Sequence, residues 1–238
     1  MTYHSSASLT LPVRRRFPRP HGLGVSLLRG AIQLTMRVLL RTYSRLEIVG
    51  QENLPHGSSF IMVCNHSSHL DAVCLLASLP LRCVNRAYPV AAADYFFLTP
   101  LRRMLCVIAV NGLPLDRHHG GGGLDVCRDL LHDSNNILII FPEGTRTCSG
   151  ELGRFRSGVS RLVAGTNTPV VPCHLAGAFA AWPKGRRLPR PVPLRLRIGT
   201  PRIFSDVSSE DHGAVVAIGS TLRDDVVALG REPLELGN

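Results

Sequence analysis

The chain has 238 residues, of which 45% are hydrophobic and 18% charged; this composition fits one folded domain and excludes a disordered chain or a collagen-like fibre. Its seven cysteines form no Cys-x-x-Cys pair and mostly lie in apolar runs, which excludes a disulfide miniprotein and favours a reducing compartment. The formal net charge of +10 is almost entirely arginine, a residue suited to the phosphates of lipids or nucleic acids.

The basic charge is concentrated in residues 1–50, which carry eight arginines and one glutamate. Pro18 and Pro20 follow the first arginine cluster and no long apolar core comes next, so we expect no cleaved signal peptide. The longest apolar run, Met104 to Val110, has seven residues, whereas a membrane-spanning helix needs about twenty. We therefore expect no membrane-spanning helix.

Residues 25–45 show helical periodicity, with six polar side chains within one arc and apolar side chains over most of the remaining circumference. The polar arc comprises Ser26, Arg29, Gln33, Arg37, Arg41 and Ser44. This pattern is typical of a helix lying in the plane of a membrane surface, with its arginines on lipid phosphate. A packing helix with a solvated basic face would show the same pattern.

Strand and helix patterns alternate through the rest of the chain. The predicted strands are 46–48, 60–64, 106–110, 137–141, 169–174 and 194–198, and the predicted helices are 68–79, 124–132, 157–164 and 214–229. The glycine-rich segment 118–123 predicts a mobile loop. We predict an α/β fold with a largely parallel or mixed sheet flanked by helices and with an N-terminal amphipathic helix.

Two polar loops follow predicted buried strands, the position where chemistry gathers in such sheets. In the first, NHSSHLD at 65–71, His66 and Asp71 can meet if His66 precedes a helix capped by Ser67 or Ser68. The carboxylate would then fix the imidazole tautomer, as a general base requires. Ser68-x-x-Asp71 is also a capping box, in which Asp71 would only cap the helix.

The second loop contains Glu143, Gly144, Thr145 and Arg146. Its glycine permits close backbone approach, and its hydroxyl and guanidinium groups suit phosphate oxygens. A solvent-exposed turn with a Glu/Arg ion pair would have the same sequence. The chain has no G-x-x-x-x-G-K-[ST] or G-x-G-x-x-G motif, so nucleotide phosphates held in those modes are not expected.

Together the two loops resemble the glycerolipid acyltransferase family, which includes 1-acylglycerol-3-phosphate acyltransferases. Asn65, His66 and Asp71 match its N-H-x-x-x-x-D block, and Phe141 to Arg146 matches its F-P-E-G-T-R block in full. The order of the blocks also agrees along the chain.

Two other blocks of the family are matched loosely, by residues 112–117, which end in Arg117, and by residues 170–177. Ahead of Pro100, family members usually carry a lysine and a glutamate, whereas this chain has Ala-Ala-Ala-Asp-Tyr at 91–95. This departure predicts a weaker dependence on an acceptor phosphate than is usual in the family.

The resemblance implies transfer of a fatty acyl chain from an acyl thioester to a lysolipid hydroxyl, most simply that of 1-acylglycerol-3-phosphate, in phospholipid biosynthesis. Acyl-CoA or acyl carrier protein would be a co-substrate, with no other cofactor and no metal. His66 would be the base and Asp71 its orienting partner. The residues implied in acceptor binding are Arg117, Glu143, Gly144, Thr145 and Arg146.

On this basis, we expect a basic tail at residues 1–23, an amphipathic membrane-surface helix at 24–45 and an acyltransferase domain at 46–238. The expected partners are a membrane surface with anionic lipid, the acyl donor and the lysolipid, and no nucleic acid. The expected location is peripheral, on the cytoplasmic face of the cell membrane.

Other interpretations stay open at this point. The acceptor could be another lysolipid or an aminolipid. The sequence pI of about 10.0 would suit a nucleic-acid-binding protein, although aromatic residues make up only 5% of the chain. A metallohydrolase could use His66, His69, Asp71, His118 and His119, but no ligand spacing supports it. An inactive family member that binds membranes is the last alternative.

Overall fold

The computed structural model describes residues 22–92, 100–115, 122–133 and 135–231. Its helices are α1 Leu23–Tyr43, α2 Leu70–Ser78, α3 Pro100–Val110, α4 Gly122–His132, α5 Gly158–Val163, α6 Ala178–Ala181 and α7 His212–Arg231. Its strands are β1 Glu47–Val49, β2 Phe60–Cys64, β3 Ala87–Ala92, β4 Leu113–Leu115, β5 Ile137–Ile140, β6 Val170–Ala176 and β7 Arg195–Ile198. Short 3-10 turns occupy Gln51–Asn53 and Leu81–Arg86.

The strands form one sheet in the order β1-β7-β6-β2-β5-β3-β4. All neighbours are parallel except β6 and β7, which are antiparallel. This arrangement confirms the predicted α/β class and its largely parallel sheet. The central strand β2 is buried over all five residues, as its unbroken apolar sequence predicts for a strand covered on both faces.

Alternate residues of β2 point into two separate cores. Met62 and Cys64 pack with α1, α2 and α6, whereas Ile61 and Val63 pack with α4, α5 and α7. The fold therefore has three layers, with the sheet between two layers of helices.

One predicted element is wrong, and three short elements, β3, β4 and α6, were not predicted. Residues 106–110 were expected to form a strand but are the second half of α3, because a short apolar run fits either element and the helix here continues unbroken from Pro100. β3 was not predicted, since Pro89 and its alanines are unfavourable in strands. Most of the predicted mobile loop, 118–121, lies outside the described residues.

α1 is a helix as predicted, but most of its polar arc faces the protein, and Arg41 is the one residue of the six that is exposed. Arg29 is buried and donates hydrogen bonds to Asn85 Oδ1 (2.8 Å), Val107 O (2.9 Å) and Ile108 O (3.0 Å). Gln33 is also buried. The expectation that the α1 arginines contact lipid phosphate is therefore wrong for Arg29, because its guanidinium donates to two carbonyls in the last turn of α3.

The same inversion applies to Arg37, about two turns beyond Arg29 along α1. Arg37 is half-buried, and its guanidinium donates to Leu76 O (3.3 Å) and to Leu79 O at the end of α2. The outward face of α1 instead consists of exposed apolar side chains, among them Leu23, Leu27, Leu28, Leu34, Val38 and Leu39.

Length and composition alone would allow α1 to cross a membrane, which the count of consecutive apolar residues overlooked. Signal sequences and the core helices of soluble proteins meet the same two criteria. In this structure, α1 lies along the domain in contact with α2 and α3.

Candidate active site

The two polar loops lie side by side at the carboxyl ends of neighbouring strands. β2 pairs with β5 on one side and with β6 on the other, so the loops 65–71 and 141–147 leave the same edge of the sheet. The backbone N–H of Thr147 donates to the carbonyl of His66 (2.8 Å), which ties one loop to the other. The structure thus brings together the two sequence blocks, separated by about 70 residues, as parallel strand ends require.

Asn65 extends the pairing between β2 and β6 with its side chain. Its amide nitrogen donates to Leu175 O (3.0 Å), and its amide oxygen accepts from Leu175 N (2.8 Å). Both bonds go to the backbone of one β6 residue, so the side chain ties the end of β2 to β6. His66 consequently leaves the sheet from a fixed starting point.

His66 and Asp71 are in direct contact, with 2.9 Å between His66 Nδ1 and Asp71 Oδ2. Asp71 is fully buried, whereas the His66 side chain is 21% exposed. The contact engages Nδ1 and leaves Nε2 as the ring nitrogen available to a reactant. Asp71 can therefore orient the imidazole as a general base requires.

The same Asp71 oxygen also accepts from the backbone N–H groups of Ser67 (2.7 Å) and Ser68 (2.8 Å). Both interpretations of Asp71 are therefore satisfied at once, since one oxygen holds the imidazole and the start of α2. The predicted N-cap is wrong in detail, because the helix begins at Leu70 with His69 at the N-cap position and no side-chain cap bond from it.

The His66 ring is held from a second direction by Phe141. The two rings stack with their centroids 4.2 Å apart and their planes inclined by 16°. Phe141 is the first residue of the second sequence block and follows β5 directly. Stacking of this kind restricts rotation of the imidazole about its side-chain bonds.

The carboxylate of Glu143 links its own loop to two other backbone segments, at His66 and at Gly153. Its Oε1 accepts from His66 N (2.7 Å) and its Oε2 from Gly153 N (2.8 Å). Burial raises the pKa of Glu143, while these two hydrogen bonds act in the opposite direction. With both oxygens engaged, this geometry favours a positioning role over the acceptor contact that the resemblance implies.

Gly144 and Thr145 form the surface of the second loop. Gly144 has φ of +76°, a conformation that favours glycine. A Cβ there would lie 2.7 Å from Nε of Arg156, so the Arg156 side chain rests on the glycine backbone. Thr145 is exposed.

The positive charge of Arg146 acts on His69 of the first loop and contributes to the lowered pKa of that histidine. Burial is the main cause and the positive charge of Arg146 the second, and together they lower the pKa of His69 to about 4. His69 is therefore neutral near pH 7. Its ring also contacts Trp182, with centroids 5.6 Å apart in an edge-on arrangement.

Two site features were not predicted from the sequence. Arg156 comes ten residues after Arg146, and only the returning chain, whose Arg156 N–H donates to Pro142 O (2.9 Å), brings it back to Gly144. The side-chain pairing of Asn65 with Leu175 likewise depends on the neighbouring strand. No local pattern marks either contact.

Several predicted residues lie outside the described part of the chain, namely Arg117, His118 and His119. The same is true of residues 93–95, which belong to the segment that differs from the family pattern. Among the described residues, no three His, Cys, Asp or Glu side chains are grouped so as to hold a metal ion. Cys64 is fully buried at the end of β2, and burial raises the pKa of its thiol well above the usual value. It is therefore a core residue.

A family model described as acyltransferase matches residues 45–176, more than half of the chain. A 1-acyl-sn-glycerol-3-phosphate acyltransferase of Cocos nucifera is 29% identical over 195 residues, which are 79% of this chain and 61% of that protein. The alpha enzyme of the same name from Mus musculus is 24% identical over 192 residues, 79% of this chain and 64% of that protein. The chain thus spans under two thirds of the length of these relatives.

A solved structure has the same fold. The 1-acyl-sn-glycerophosphate (LPA) acyltransferase PlsC of Thermotoga maritima superimposes with a TM-score of 0.65 at 22% identity. The match covers 89% of this chain and 90% of that one. The three-layer arrangement described above is therefore also found in that protein.

Proposed function

Because the chain belongs to the acyltransferase family, we propose that it transfers a fatty acyl chain from an acyl thioester to the free hydroxyl of 1-acylglycerol-3-phosphate. The observation that carries this proposal is the contact between His66 Nδ1 and buried Asp71 at the end of the central strand. The names of the relatives support the choice of acceptor. The reaction would serve phospholipid biosynthesis.

The reaction needs one proton relay and no covalent acyl-enzyme. His66 Nε2 removes the hydroxyl proton as the acceptor oxygen attacks the thioester carbonyl, forming the new C–O bond. Asp71 stabilises the resulting imidazolium through Nδ1. The tetrahedral intermediate then expels the thiolate, which takes the proton from Nε2, so that an ester and a free thiol are released. General base catalysis of this kind contributes about 10² to 10⁴ in rate.

The acceptor phosphate is proposed to lie between Arg146 and Arg156, the second of which packs on the backbone of Gly144. The guanidinium of Arg156 already touches the site where a Cβ would be, and Arg146 lies beside the catalytic loop. Two guanidinium groups can grip phosphate oxygens with charge-assisted hydrogen bonds. This arrangement favours a phosphate-bearing lysolipid over an aminolipid.

The donor is proposed to be acyl-CoA or acyl carrier protein, and the chain to act at a membrane surface on the cytoplasmic side. Support for the surface comes from the outward leucines of α1, of which Leu27 is 74% exposed. A row of apolar side chains of this kind is suited to the acyl boundary of a bilayer.

The reaction is tested by incubating pure protein with a panel of lysolipids and one acyl-CoA, with products identified by mass spectrometry. Formation of diacylglycerol phosphate is expected, and His66→Ala should reduce turnover at least about 100-fold. The variant should stay folded, since His66 lies on a loop and leaves no large core cavity. Absence of acylated product with every acceptor would contradict the proposal.

The phosphate site has its own test in Arg156→Gln. Loss of one charge-assisted contact should raise the KM for 1-acylglycerol-3-phosphate about tenfold or more and leave the KM for the donor unchanged. Arg154→Gln is the matched control, because Arg154 is equally exposed but is not among the atoms nearest Gly144. Equal effects of both variants would show that only the general charge of the segment matters.

A further inference from the structure

Residues 183–190, called here the basic loop, lie directly beside the candidate catalytic loop. Trp182, which precedes them, accepts a hydrogen bond from Ser68 Oγ at its carbonyl (2.9 Å) and contacts the His69 ring. The basic loop has the sequence PKGRRLPR, with four cations and no acidic residue. Nothing in the proposed chemistry uses these charges.

The backbone of the basic loop is held in place by hydrogen bonds. Trp182 Nε1 donates to Arg186 O (2.8 Å), and Arg190 N donates to Ala181 O (2.8 Å). Arg186 Nε donates to Leu188 O (3.0 Å). The loop therefore presents a defined surface whose shape its own contacts maintain.

Three cations of the basic loop point to solvent without partners. Lys184, Arg187 and Arg190 are exposed, and within the described residues no hydrogen bond or ion pair engages their side chains. Between them, Leu188 is 73% exposed. Cations around a solvent-exposed apolar side chain are typical of segments that bind anionic lipid headgroups.

The basic loop is continuous with the outward face of α1. Tyr43, the last residue of that helix, donates from its hydroxyl to Pro189 O (3.1 Å). The leucines of α1 need cations next to them to hold an anionic bilayer, and because Arg29 and Arg37 are turned inward, Arg41 is the one exposed arginine of that helix. The basic loop supplies cations at one end of this apolar face.

We propose that the basic loop binds the anionic phospholipid headgroups of a bilayer, with Leu188 inserted among them, and so places the catalytic loop at the membrane surface. This inference rests on the proposed function, which requires a lipid acceptor. A bilayer is favoured over an acidic carrier protein because the exposed apolar face of α1 continues the same surface.

The test is co-sedimentation of the full chain with phosphatidylcholine vesicles that contain or lack phosphatidylglycerol. Arg187→Gln/Arg190→Gln should weaken partition onto the anionic vesicles about 30-fold at low salt and much less at high salt. Arg161→Gln/Arg231→Gln is the matched control, since both arginines are exposed on the opposite helical layer. The control should retain wild-type binding.

Leu188→Ser separates the apolar contribution, because its loss of binding should persist at high salt. Equal binding by the Arg187/Arg190 variant and the control would overturn the inference. Unchanged vesicle binding with a raised KM for acyl carrier protein would also overturn it and assign the loop to the donor.

The vesicle assay needs no turnover, so it is independent of the proposed reaction. The Arg187/Arg190 variant should retain wild-type turnover on a short-chain, monomeric lysophosphatidate, which supports a role in docking alone. A wild-type protein that binds anionic vesicles through the loop but acylates no lysolipid would support the inference and refute the proposed function.

Discussion

Replacing Asp71 by asparagine separates its two structural roles. The asparagine oxygen can still accept the backbone N–H groups of Ser67 and Ser68, which now donate to Asp71 Oδ2. The negative charge beside His66 is lost. We therefore expect Asp71→Asn to remain folded while turning over slowly.

The size of the effect follows from the 2.9 Å contact between His66 and Asp71. A hydrogen bond to a charged group contributes about 1.5 to 3 kcal/mol, so removing the charge should lower kcat about 10- to 150-fold. Asp71→Ala instead leaves two buried N–H groups without acceptors, which should lower the free energy of unfolding by about 2 to 6 kcal/mol.

Urea denaturation gives the stability of both variants, and mass spectrometry of the acylated product gives kcat. The informative comparison is between the kcat of Asp71→Asn and that of wild type, measured where the same fraction of each protein is folded. A folded Asp71→Asn variant with wild-type kcat would refute the orienting role and leave Asp71 as a helix cap alone.

Three further outcomes are expected. Glu143→Gln can satisfy only one of two backbone donors, so kcat should fall about tenfold with the acceptor KM unchanged; a raised KM alone would indicate acceptor contact. Arg29→Met should lower the free energy of unfolding by about 3 kcal/mol or more, while the exposed control Arg41→Met should change it little, as urea denaturation would show. Burial and Arg146 lower the pKa of His69 from 6.5 to about 4, so the unfolded chain binds more protons and stability is lost as pH falls through this window. His69→Gln should lose less stability between neutral and acidic pH in thermal unfolding, and an unchanged loss would refute the assignment.

The elements around the site were predictable because their signals are local and strong. Unbroken apolar sequence identified β2 and β5, and the polar loops after them follow from the parallel arrangement. The contact between His66 and Asp71 required only that the helix begin between them. These features depend on neighbours in sequence, which the chain itself displays.

Other features depend on contacts that sequence does not show. Periodicity grouped Arg29 and Gln33 on one side of α1, but it could not tell which side packs inward. Arginine was assigned to the outside because it is charged, yet the last turn of α3 offers the carbonyls of Val107 and Ile108 as acceptors. A long side chain can reach such groups from another helix, and burial then becomes favourable.

The inward arginines of α1 also connect that helix to Asp71, the carboxylate proposed to orient His66. Arg37 grips the carboxyl end of α2 through Leu76 and Leu79, and Asp71 stands in the first turn of the same helix. α2 has nine residues and is a rigid helix about 13 Å long that connects Asp71 to the carbonyls bound by Arg37. Displacement of α1 would therefore also move Asp71, because α2 joins the two directly. The orientation of His66 thus depends on the surface against which α1 lies.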